Sequence, residues 1–265
     1  MKIAFLDIVH EALREGLIAD GHECVDLTQT SKERIEQVIN DFDGLVVRSR
    51  FPLDQSFLSK ATKLKFIARS GAGMENIDIP YCEGRSIELF NAPEGNRNAV
   101  AEHALGMLLS LFNKLNTADL EVRSGTWDRE GNRGVELEDK VVGIIGYGNN
   151  GSSFAKKLKG FDCDVIAYDK YKQGFGNENV KEVSLDELLH RSDVISLHIP
   201  QNDETQWMID AAFIRSVKKP FYLINLSRGK LVVTSDLLNA LNENKVLGAC
   251  LDVLEFEKSS FENMF

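Results

Sequence analysis

The strongest chemistry-bearing signal lies in mid-chain, where the apolar run Val141-Val142-Gly143-Ile144-Ile145 leads into Gly146-Tyr147-Gly148-Asn149-Asn150-Gly151. An apolar strand entering GxGxxG and then a helix is the pattern that cradles a dinucleotide pyrophosphate. Gly146 permits the tight turn, Gly148 lets the backbone approach the phosphates, and Gly151 lets helix and strand pack closely. The backbone N–H groups of Asn149, Asn150 and Gly151 then face the anion from the positive end of the helix. Asp169 ends the next apolar run, 23 residues after Gly146. A carboxylate there accepts from the ribose diol and repels a 2′-phosphate, which predicts NAD as cofactor and not NADP. Asn150 stands where an apolar side chain would seat the helix on its sheet, so its expected cost falls on packing more than on binding.

The elements needed to position this loop are legible as short apolar runs alternating with helical patterns. Lys2 to Ile8 reads as a strand, Glu11 to Asp20 as a helix ended by Gly21, and Glu23 to Leu27 as a strand. Ser31 caps a helix to Asn40, and Gly44 to Arg48 and Lys65 to Arg69 are further strands. A second series holds strands Val141 to Ile145, Val165 to Tyr168, Val194 to Leu197, Tyr222 to Asn225 and Leu247 to Leu251, with helices from Asn150 to Lys159 and Ser235 to Asn242. Strands that alternate with helices imply βαβ units and a parallel sheet. The expected fold class is therefore α/β, with two Rossmann-like parallel-sheet domains over residues 1–97 and 98–265. Between them, Asn98 to Leu115 reads as one helix that is apolar on more than one face. With the polar stretch to Asp139, it predicts the contact face of a homodimer.

Composition bounds the rest. The 265 residues carry 31 basic and 41 acidic side chains, a net charge of −10, which disfavours a nucleic-acid partner. Cys24, Cys82, Cys163 and Cys250 are at least 58 residues apart, so no CxxC pair exists, and free thiols in a cytoplasmic protein are expected. No run of about 18 apolar residues predicts a membrane span, and the N-terminus reads as a strand with no signal peptide. No metal site is expected.

Five ordered motifs resemble a family. Leu89-Phe90-Asn91-Ala92-Pro93 with Ala99-Val100-Ala101-Glu102, the glycine loop, Ser196-Leu197-His198-Ile199-Pro200, Ile224-Asn225-Leu226-Ser227-Arg228-Gly229 and Leu251-Asp252-Val253 follow one another as in the D-isomer-specific 2-hydroxyacid dehydrogenases. The series is most similar to the 3-phosphoglycerate dehydrogenase branch. The resemblance implies a flavodoxin-like substrate domain ahead of an NAD-binding one, and a small 2-hydroxy or 2-oxo acid as partner. It implies that Arg228 binds the substrate carboxylate and polarises the 2-oxo group, a task suited to an always-charged guanidinium fork. Glu257, five residues after Asp252, would orient a catalytic histidine, although Lys258 replaces the usual proline. Asp252 would accept from the nicotinamide carboxamide. His198, Pro200, Leu226, Ser227 and Arg228 fall on the cofactor side. Ser70-Gly71-Ala72-Gly73 resembles a substrate loop whose successive N–H groups can form an anion nest, and Arg48-Ser49-Arg50 adds cations, with Phe51 where a polar residue is common.

The family's acid/base histidine, in a Pro-His pair beyond the glutamate, has no match before the chain stops eight residues after Glu257. None of His10, His22, His103, His190 and His198 fits that slot. The expectation is therefore a C-terminally incomplete dehydrogenase of weak or no activity. The competing expectation is a catalytically silent NAD-binding regulator, like the family's corepressor branch; retention of Arg228 and Glu257 favours the enzyme.

Overall fold

The central apolar runs of four to six residues become strands buried on both faces, as parallel sheets covered by helices require. Gly44–Val47 and Val194–Leu197 are buried along their whole length. The computed structural model describes residues 1–257, which form one compact unit over Met1–Asn96 and a second from Arg97 onward. Lys258 lies outside the described residues.

The first unit runs β1 (Lys2–Phe5), α1 (Glu11–Ala19), β2 (Glu23–Asp26), α2 (Lys32–Val38), β3 (Gly44–Val47), α3 (Gln55–Leu58), β4 (Phe66–Arg69), α4 (Ile79–Gly84) and β5 (Glu88–Asn91). Its sheet order is β2-β1-β3-β4-β5 with all pairings parallel, the flavodoxin-like order. Ser31 caps α2, its Oγ accepting from Arg34 N–H. One sheet face buries Leu6, Leu45, Val47 and Ile67 with Ile35 of α2, Phe57 of α3 and Cys82 of α4. The other packs Ile3, Phe5 and Val46 with Leu17 of α1.

The second unit runs α5 (Arg97–Phe112), α6 (Leu115–Arg123), β6 (Val141–Ile145), α7 (Asn149–Lys157), β7 (Asp164–Tyr168), β8 (Lys181–Glu182), α8 (Leu185–Arg191), β9 (Val194–Leu197), α9 (Ala211–Ser216), β10 (Phe221–Asn225), α10 (Thr234–Asn242) and β11 (Val246–Leu251). Its order, β11-β10-β9-β6-β7-β8, is parallel throughout. Counted within the unit this is the doubly wound order 3-2-1-4-5-6, whose chain reversal lies between β6 and β9. Ala101, Ala104 and Leu108 of α5 and Phe154 of α7 are buried together on one sheet face. Leu188, Ile214 and Leu237, from α8, α9 and α10, cover the other.

The helix expected from Asn98 to Leu115 is two helices. Lys114 adopts left-handed backbone, φ +51°, and its Nζ donates to Gly131 O, so the chain turns before α6. One face of α5 is buried (Ala101, Ala104, Leu108, Phe112), while Leu115, Leu120 and Val122 of α6 and Trp127 beyond it are exposed. Among the described residues, no helix is long and apolar enough to cross a membrane.

Candidate functional site

In the second unit, the carboxyl ends of five strands are stitched in series. Gly146 N–H donates to Tyr168 O, His198 N–H to Ile145 O, Ser227 Oγ to Leu197 O, and Asp252 N–H to Asn225 O, at 2.8, 2.8, 2.8 and 3.1 Å. Ligands of doubly wound sheets bind in the crevice outside these ends, at the reversal point. The series therefore gathers Gly146, Asp169, His198, Ser227, Arg228 and Asp252 along one rim.

The glycine loop is packed too closely for side chains at Gly146 and Gly151. Gly146 has φ +93°, and a Cβ there would lie 2.5 Å from His198 O. A Cβ on Gly151 would lie 2.0 Å from Gly146 O. The α7 ladder opens with Ser152 N–H donating to Gly148 O. The N–H groups of Asn149, Asn150 and Gly151 have no acceptor among the described residues. Nothing stands within 4 Å of where a Gly148 Cβ would be, so the space beside the loop is open at the positive end of the helix that carries these donors. Asp169 closes the loop from β7: Oδ2 accepts from Tyr147 N–H at 2.8 Å, and Oδ1 from Tyr171 and Lys172 N–H at 2.9 and 3.0 Å. A carboxylate oxygen takes more than one donor, so Oδ2 keeps capacity for a ribose hydroxyl. The residues fit a dinucleotide: open backbone donors for the pyrophosphate and a fixed acceptor for the ribose.

Asn150 Oδ1 is buried without a hydrogen-bond partner, which locates the packing cost expected of this residue. His198 is held by Ser196 Oγ at 2.9 Å and packs on Phe154. Burial pushes its imidazole down to about 4, so it is neutral at pH 7 and braces the rim. Pro200 O accepts from Thr205 Oγ1 at 2.6 Å.

The Leu226–Arg228 turn hangs on a residue that the motif contains but whose role the sequence does not announce. Asn225, fully buried, accepts from Ser227 N–H at 3.0 Å and donates through Nδ2 to Arg228 O at 2.9 Å. Arg228 leaves this turn in extended conformation, with Nη1 donating to Ser227 O. Asp252 Oδ1 lies 3.3 Å from His103 Nε2 of α5. Glu257 is folded onto its own turn, Oε2 accepting from Leu254 N–H at 3.0 Å. The hydrogen bonds of His10, His22, His190 and His198 and the ion pair of His103 all lie elsewhere, so no histidine is bonded to Glu257 among the described residues.

In the first unit, Ser70 N–H donates to Val47 O and Asn76 Nδ2 to Arg48 O, which brings the 48–50 and 70–73 loops together. Asp7 Oδ2 accepts from the N–H groups of both Arg48 and Arg50. Arg50 does not extend as a loose cation: its guanidinium donates to Leu6 O, Leu27 O and Thr30 O at 3.1, 3.0 and 2.7 Å. Arg69, which no sequence motif marked, lies against the Ser70–Gly73 loop; a Cβ on Gly71 would be 1.7 Å from its Nη1. A basic residue ending a strand just ahead of the glycines was the available signal.

Comparison with known proteins agrees with this geometry. The family model described as D-isomer specific 2-hydroxyacid dehydrogenase, NAD binding domain, matches residues 105–265. The D-3-phosphoglycerate dehydrogenase of Archaeoglobus fulgidus is 35% identical over 265 residues, covering 99% of this chain and 50% of that protein. The glyoxylate reductase of Thermofilum pendens is 35% identical, covering 86% of this chain and 69% of that protein. The structure of a D-lactate dehydrogenase from Treponema pallidum matches with a TM-score of 0.84 at 28% identity, covering 99% of this chain and 81% of that one. The chain spans about half the length of the curated phosphoglycerate dehydrogenases it matches. It belongs to the D-isomer specific 2-hydroxyacid dehydrogenase family, whose NAD-binding domain it carries from residue 105 on.

Proposed function

We propose that this chain holds the cofactor and substrate sites of an NAD-dependent oxidoreductase that interconverts a D-2-hydroxy acid and its 2-oxo acid, with 3-phosphoglycerate as the first substrate to test. The carrying observation is the open row of Asn149, Asn150 and Gly151 N–H groups beside Asp169. Bound NAD supplies hydride transfer at its nicotinamide ring. Backbone donors of α7 hold the pyrophosphate, Asp169 orients the ribose, and Asp252 receives the carboxamide. His198, Pro200, Leu226 and Ser227 wall the cofactor side. Arg228 takes the substrate carboxylate in its fork and draws charge onto the 2-oxo oxygen. Glu257 is the positioning carboxylate for a proton-moving histidine.

Residues 1–97 serve as the substrate-binding domain and residues 98–265 as the NAD-binding domain. Arg48, Ser49 and the Ser70, Gly71, Ala72 and Gly73 nest contact an anionic acid, with Arg50 fixing the loop from beneath. Exposed Leu115, Leu120, Val122 and Trp127 form the contact face of a homodimer. Four free thiols suit the cytoplasm, and the charge of −10 argues against a nucleic-acid partner.

Calorimetry with NAD and NADP tests the cofactor site, and NADH absorbance on addition of D-3-phosphoglycerate, D-glycerate or D-lactate tests the reaction. NAD is expected to bind more tightly; equal affinities sink the Asp169 assignment. Tight NAD binding by the full-length protein with no turnover of any of these acids would favour the regulatory reading instead.

A further inference from the structure

Lys170 directly follows Asp169, and a cation beside the ribose carboxylate is the device by which such sites accept a 2′-phosphate. Here that cation is already engaged. Lys170 Nζ donates to Glu204 Oε2 at 2.6 Å, and the same oxygen accepts from Tyr171 OH at 2.7 Å. Glu204 comes from the loop after β9, which lies two strands from β7 with β6 between them, so the contact reaches across the strand that carries the glycine loop. The Glu204 loop is itself braced. Asn202 Oδ1 accepts from Glu204 and Thr205 N–H at 3.0 and 3.1 Å, and Thr205 Oγ1 donates to Pro200 O. Lys172, the next cation along, donates to Tyr147 O at 3.2 Å.

Resting on the NAD reading above, we infer that Glu204 is a cofactor-specificity residue: it withholds the Lys170 ammonium from a 2′-phosphate, so that NADP is refused by two carboxylates, Asp169 and Glu204, acting from two loops. The protonation preferences agree with this geometry. The bond from Lys170, then that from Tyr171, holds Glu204 below the ordinary glutamate value, and the bond to Glu204 raises both Lys170 and Tyr171. Neutralising Glu204 frees a cation next to the ribose and removes a negative charge from its surroundings. Both changes favour a phosphate dianion and leave an unphosphorylated ribose almost unaffected.

The test is a double-mutant cycle read by binding, with NAD titrated directly and NADP by competition against NADH fluorescence. Glu204→Gln is expected to bind NADP about two- to fivefold more tightly than the parent chain, the upper range of an exposed charge interaction, with NAD affinity essentially unchanged. Lys170→Gln in the Glu204→Gln background is expected to erase the gain, and high salt to shrink it. Both side chains are exposed, and matched melting curves verify that the fold is kept. Unchanged NADP affinity in Glu204→Gln, or a gain that survives Lys170→Gln, overturns the inference. Failure of the parent chain to bind NAD overturns the cofactor reading, and this inference falls with it.

Discussion

At the rim of the first sheet, side chains hold backbone: Arg50 ties three carbonyls and Asp7 two N–H groups. At the rim of the second, Asp169 and Asn225 likewise tie flanking turns, but the glycine loop itself is held by backbone bonds, with glycine at 146 and 151 where a Cβ would collide. The difference follows from what each rim presents. A pyrophosphate is gripped by N–H groups that must come within hydrogen-bond reach, so the chain itself must be bare and rigid there. A rim that meets a small acid uses charged side chains, and some of these are diverted to hold the loops that carry the others.

The sharpest way to break this contrast is Gly151→Ala. The added methyl would meet Gly146 O at 2.0 Å, and Gly146 is pinned by its own N–H bond to Tyr168 O. Neither side can give cheaply, so the expected loss is about 2–4 kcal/mol of stability, as for overpacking a tight contact. Urea unfolding measures it, and calorimetry should show NAD binding weakened with it. A variant of parental stability and NAD affinity would show that the close approach is not needed.

On the first rim the corresponding change is Arg50→Gln, which removes three bonds from a charged donor and leaves Leu6 O, at the edge of the core, without that partner. The expected cost is about 2 kcal/mol, whereas Arg48→Gln, whose N–H but not guanidinium is bonded to Asp7, should cost less than about 0.5 kcal/mol. Equal costs in urea unfolding would erase the distinction between a loop-fixing and a ligand-facing arginine.

The same contrast explains what was legible in the sequence. Glycines record backbone geometry locally, so the 146–151 loop and its strand and helix could be read off directly. Alternation of apolar runs also revealed both sheets, because strands such as β3 and β6 are apolar along their length. The division of labour between Arg48 and Arg50 could not be read, since it depends on carbonyls of Leu6, Leu27 and Thr30 brought close only by folding. Glu204 was hidden for the same reason, lying 34 residues from its lysine. The break at Lys114 escaped because nothing in the local pattern of apolar residues demands a left-handed residue there.

Asn150 offers an effect smaller than those of Gly151 and Arg50, and of the opposite sign. Its Oδ1 is buried with no partner, although the residue sits in the first turn of α7 and its backbone N–H is one of the proposed phosphate donors. A buried polar atom left unsatisfied costs about 1–3 kcal/mol, and the site asks nothing of the side chain, because the phosphate contact runs through the main chain. Asn150→Leu replaces the amide with a side chain of similar length that has no polar atom to satisfy. It is expected to stabilise the second unit by about 1 kcal/mol, seen as a raised urea midpoint, with NAD affinity unchanged. If Asn150→Leu instead weakens NAD binding at unchanged stability, the amide itself contacts the cofactor, and the phosphate grip is not made by the main chain alone.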